Sequence, residues 1–112
     1  METLSPTTVP IRITFQVSGL ADGHRILDHL VEERLVAGGT VVHAESLNWV
    51  SGEVTAKDRK EVTAYTTFDR LSAINGRLQV LCGADAPTIS QYVIAGEKEE
   101  VDGWIMRNVR ES

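Results

Sequence analysis

Alternation is the first signal along this chain. Val9, Ile11, Ile13, Phe15 and Val17 are apolar, while Arg12, Thr14 and Gln16 between them are polar. A period of two over nine residues, rich in branched side chains, predicts a half-buried strand. Pro10 removes one backbone donor near its start, which a strand end tolerates. Gly19 and Asp22-Gly23 predict a turn, with Asp22 capping a helix that runs to about Leu35. Along that stretch Ile26, Leu27, Leu30, Val31 and Leu35 recur on one helical face. Gly38-Gly39 is expected to end it, supplying backbone freedom for a C-cap or turn.

Thr40 to Trp49 predicts a second strand with two partly apolar sides, Thr40, Val42, Ala44 and Ser46 on one and Val41, His43, Glu45 and Leu47 on the other. That character points to contacts on both faces. Residues 51–60, around Gly52, read as polar and turn-like, and Glu61 to Thr67 resumes strand character, so the two strands form a long β-hairpin reaching beyond the sheet. Phe68, Leu71, Ile74, Leu78 and Leu81 form a helical stripe, with Thr67 as its cap and Asp69 at its positive end. Asn75-Gly76 disfavours this helix by about 1 kcal/mol relative to good formers, and a helix ending at Ile74 is the rival reading. After a loop bounded by Cys82-Gly83 and Pro87, Thr88 to Ile94 predicts a short strand. Glu97, Glu99 and Glu100 then open a closing helix with Val101, Trp104, Ile105 and Asn108, which Gly103 weakens.

The order is βαββαβ plus a helix. Two helices on one face of a four-stranded antiparallel sheet is the simplest packing that buries both helical stripes, an α+β, ferredoxin-like sandwich. At 112 residues and 42% hydrophobic composition, one compact domain is expected. It spans residues 9–108, with a loose arm at 1–8 and a tail at 109–112. A net charge of −5 and no uninterrupted basic run argue against a nucleic-acid partner. Cys82 is the single cysteine, so no intramolecular disulfide framework exists. The start carries no secretory pattern, and no apolar run approaches the roughly 20 residues of a membrane span. A soluble intracellular protein is expected.

Leu30-Val31-Glu32-Glu33-Arg34-Leu35-Val36-Ala37 resembles the first-helix signature of the CutA family, the divalent-cation tolerance proteins. So do Trp49 with Gly52, the passage Thr63–Leu71, Pro87 with Ile89, and Asp102-Gly103-Trp104-Ile105. The resemblance runs from about Ile11 to Ile105. It implies a ferredoxin-like fold similar to the PII signalling proteins, a tight cytoplasmic homotrimer formed through long hairpins, and a role in tolerance of copper and other divalent cations. Three departures stand out. Gly38 stands where the family usually has a cysteine, and Leu47 where a tyrosine commonly precedes the tryptophan. Cys82-Gly83-Ala84-Asp85-Ala86-Pro87 replaces a His-Pro-Tyr-Glu-x-Pro loop, keeping Pro87 and the acidic character at Asp85.

Candidate chemistry is sparse. Cys82 supplies a soft ligand and Asp85 an anionic oxygen, which suits copper or another divalent cation. Two groups fall short of the three or more protein ligands usual for zinc. Others would have to come from His24, His29, His43 or a neighbouring subunit. A structural Cys82 and a redox Cys82 are the competing readings. His24 and His29 lie on different helical faces and read as surface residues. His43 and Glu45 share a strand face, as an intersubunit hydrogen-bonded pair or a weak ligand pair. Trp49, Tyr65 and Trp104 read as interface residues rather than as a ligand cleft. Gly19 and Gly23 form no dinucleotide fingerprint, and Ser18, Ser46 and Ser72 lack histidine-acid partners, so a catalytic role is not expected. Two functions compete: a trimeric CutA-like protein that binds a metal or small ligand weakly between subunits, and a PII-like structural or regulatory adaptor acting through protein contacts.

Overall fold

The computed structural model describes residues 9–17, 20–94 and 99–109; the expected arm at 1–8, Ser18, Gly19, Glu97 and the last three residues lie outside them. Strand β1 (Pro10–Val17), helix α1 (Leu20–Glu32), strands β2 (Gly38–Val50) and β3 (Glu53–Thr67), helix α2 (Leu71–Cys82), strand β4 (Ser90–Val93) and helix α3 (Glu99–Asn108) follow in order. Short 3₁₀ turns at Phe68–Arg70 and Gly83–Asp85 flank α2. The sheet order is β2-β3-β1-β4, and every neighbouring pair is antiparallel. This is the ferredoxin-like sandwich expected from the pattern.

The alternation of β1 is realised from Ile11 to Val17, while Pro10 is buried and Val9 precedes the strand. Ile11, Ile13, Phe15 and Val17 are buried beside Val62 and Ala64 of β3, under Ile26 and Leu30 of α1 and Ile74 and Leu78 of α2. Each fully buried aliphatic or aromatic side chain contributes about 1.5–3 kcal/mol. A buried hydroxyl pins the loop after α1 to the sheet, Thr66 Oγ1 donating to the Leu35 carbonyl at 2.6 Å.

Several expectations are corrected. Helix α1 begins at Leu20, so Asp22 lies in its first turn rather than at its cap, and Gly23 is helical. Gly23 is nonetheless a packing requirement, since a Cβ there would lie 2.9 Å from Val41 Cγ1. The helix stops at Glu32, and the positive φ that follows belongs to Arg34, at 60°. Gly38 and Gly39 instead open β2, where a Cβ on Gly39 would run into the Thr63 carbonyl. Thr67 is extended and makes no side-chain cap bond to the helix; its hydroxyl meets the Asp69 carboxylate at 2.5 Å. Asn75-Gly76 does not end α2, which runs on to Cys82.

The largest correction is at residues 51–60. Only Ser51 and Gly52 turn, with φ of 51° and 81°, the positive pair that a two-residue hairpin of the primed type demands. Glu53 to Lys60 is strand, paired throughout with β2. Thirteen residues of β2 extend roughly 40 Å, so the hairpin runs far past α1 and α2.

The register also divides the sheet into two faces. Val62 and Ala64 face α1 and α2, so Glu61, Thr63 and Tyr65 face the other way. Trp104 of α3 packs on that second face. Its ring meets Tyr65 edge-on at 5.7 Å between centroids, and Ile105 beside it is fully buried.

Candidate functional site

Cys82 ends α2, and the turn Gly83–Asp85 carries Asp85 back toward it; Gly83, at φ 61°, makes that reversal. Both side chains line a cleft of about 230 Å³ against the start of α1, shared with Val17, Asp22, Arg25, Ile26 and Leu81. Arg25 Nη2 reaches the Leu81 carbonyl at 3.5 Å and lies 3.9 Å from the Asp22 carboxylate. Burial holds the Cys82 thiol above its ordinary value; Arg25 lowers it, while Asp22 and Asp85 raise it further. The thiol is therefore kept protonated, whereas a metal takes the thiolate.

The pairing of Cys82 with Asp85 is legible in the sequence. Asp22 is read there only as a helix cap and Arg25 is not singled out, although their i,i+3 spacing in the first turns of α1 is the available signal. The three histidines do not join them. His24 lines a different opening, between α1 and β2, with Asp28 and Thr40. His43 sits on the hairpin, its Nε2 3.2 Å from Asp58 Oδ1. Glu45, on the same face, stands directly across from Asp58. Among the described residues no group of three or more His, Cys, Asp or Glu is placed to hold a metal ion. The donor set of the described residues thus does not fit a self-contained zinc or copper centre.

The aromatic residues separate. Trp104 and Tyr65 form the edge-to-face pair on the second sheet face, and the indole lies over Gly38, where a Cβ would be 2.9 Å from Trp104 Cζ2. The space a side chain at position 38 would need is filled by tryptophan. Trp49, by contrast, is 78% exposed near the hairpin end, across from Val54 at 57% and next to Leu47 at 65%. These three share one strand face and have no cover among the described residues.

A ferredoxin-like sandwich with a projecting two-stranded arm and a cysteine–carboxylate cleft at the end of its second helix is the class of protein that these features define. The chain belongs to the CutA1 divalent ion tolerance protein family, whose sequence model matches residues 11–108. As a member it is a tolerance protein rather than an enzyme. The fold is shared with CutA1 from Oryza sativa, at 24% identity and a TM-score of 0.82 over 96% of this chain and 100% of that one. It is also shared with the divalent cation tolerance protein from Thermus thermophilus, at 24% identity and 0.79 over 90% and 99% of the two chains. The protein described as periplasmic divalent cation tolerance protein CutA from Archaeoglobus fulgidus gives 20% identity and 0.78 over 90% and 99%. A search among curated protein sequences found no match.

Proposed function

We propose that the chain works as a cytoplasmic homotrimer in divalent-cation tolerance or response, binding cations weakly, with Cys82 and Asp85 as ligands completed across a subunit boundary. The observation that carries this reading is the family match over residues 11–108. Support for assembly comes from the hairpin, whose exposed Leu47, Trp49 and Val54 form an apolar surface that a second copy can cover. His43, Glu45, Tyr65 and Trp104 complete the proposed contact surfaces, in a PII-like arrangement. Weak binding follows from a protonated thiol and too few donors among the described residues: soft Cu(I) suits Cys82 best, and Zn(II) lacks ligands there.

Sedimentation equilibrium at micromolar concentration tests the assembly and should return about three times the 12.3 kDa chain mass. Calorimetry with Cu(II), reduced Cu(I) and Zn(II) tests the ligands, and any binding should vanish in the Cys82→Ala, Asp85→Ala double variant. Nanomolar Zn(II) affinity at one site per chain would overturn the weak-binding reading. The second reading, an adaptor acting through protein contacts without metal, is favoured by the missing third donor among the described residues. A trimer that binds no cation in any of these titrations would select it.

A further inference from the structure

The second sheet face has a polar end as well as the aromatic one. Register assembles most of it: Thr14 lies beside Ser90, Gln16 beside Glu61, and Arg59 projects from the same side two residues before Glu61. Asp85, in the turn before β4, closes the side, and the resulting cleft has a volume of about 510 Å³. That volume lies within the roughly 300–1,000 Å³ typical of small-molecule sites.

Arg59 is the informative residue. It is half-buried, its Nε is shielded from solvent without a hydrogen-bond partner, and its guanidinium forms no ion pair among the described residues. Glu61 and Asp85 likewise form no salt bridge there, although both line the same cleft as Arg59. Desolvating a cation without an anion is unfavourable, and such a group is ordinarily paired. Here one cation and two anions stand around one opening and none is matched to another. A simple anion would satisfy Arg59 but face two carboxylates; a simple cation would leave Arg59 bare.

We propose that this cleft binds a small α-amino acid with a cationic side chain. Its carboxylate pairs with Arg59, and its α-ammonium and distal cation take Glu61 and Asp85. Thr14, Gln16 and Ser90 supply neutral hydrogen-bonding groups along the floor. Arg59 and Glu61 are about 6.5 Å apart along the strand, a separation that an extended side chain bridges. The ligand's net charge of one positive unit balances the site's single excess negative charge. This goes beyond cation tolerance; Asp85 is shared with the proposed cation site, whereas Arg59 and Glu61 line only this cleft of the two, so their variants score it separately from the metal titrations.

Calorimetry of the full chain with L-arginine, L-lysine and L-ornithine tests it, alongside agmatine, which lacks the carboxylate, and succinate, which lacks the cations. The three amino acids should bind saturably at one site per chain, with agmatine and succinate each weaker by about 10-fold or more. Arg59→Gln should lose the preference for arginine over agmatine, and Glu61→Gln should weaken all three amino acids. If Arg59→Gln fails to fold, the agmatine comparison on the unaltered chain still decides. No saturation by about 10 mM amino acid, or agmatine binding as tightly as arginine, overturns the proposal. So does Arg59→Gln changing the sedimenting mass without ligand, since the guanidinium would then serve a neighbouring copy.

Discussion

At Gly38 the indole of Trp104 lies where a side chain would begin. Gly38→Cys therefore forces the ring aside and disturbs its contact with Tyr65; the expected loss is about 1–3 kcal/mol, the range for overpacking, read from the urea midpoint. Cys82 makes a second prediction. Burial, Asp22 and Asp85 hold its thiol above the ordinary value against the pull of Arg25, so alkylation by iodoacetamide should have its pH midpoint above that of a free thiol. Asp22→Asn should lower that midpoint and Arg25→Gln should raise it. The sign of the stability effect follows. Below the unfolded thiol's value both states are protonated and nothing changes. Above it the unfolded chain ionises first, so stability falls as pH rises toward the folded value. Cys82→Ala should lack that fall.

Among the elements, legibility follows burial. Strand β1 is readable because one face meets the core and the other does not, and the stripes of α1 and α2 are readable for the same reason. Residues 53–60 read as a turn because most of them are exposed on both faces, so the sequence carries no alternation there. The Cys82–Asp85 cleft is visible as two neighbouring residues, but the cleft holding Arg59 is not, because it exists only through strand register. Helix α2 offers a direct prediction. A Cβ at Gly76 would meet nothing within 4 Å, so Gly76→Ala should stabilise the protein by about 0.5–1 kcal/mol, measured as a higher urea midpoint. Helix α3 offers the opposite one: Trp104→Ala should destabilise by about 3 kcal/mol, while exposed His24 replaced by alanine should leave the midpoint nearly unchanged.

For the molecule as a whole, the division between a packed base and an uncovered arm governs behaviour. Trp49→Asp places a charge on the apolar end of the hairpin without touching the core. It should reduce the sedimenting mass of the proposed trimer toward that of a monomer while far-UV circular dichroism is retained. A trimer persisting in Trp49→Asp and in a Leu47→Asp, Trp49→Asp double variant would locate the contacts at the base of the sheet instead.

The arm also sets a clock. Between Lys57 and Val54 its backbone pairs with β2, β1 ends opposite Lys60, and among the described residues these stand exposed. Such pairs open at lower free energy than those at Val62 and Ala64. In a chain on its own, amide deuteration should therefore quicken step by step from Ala64 out to Val54, like a zip undone from its free end. Once another surface closes over Trp49 the gradient should flatten. A deuterium-uptake profile taken along β3 across a dilution series thus times how long the arm spends uncovered, strand position by strand position.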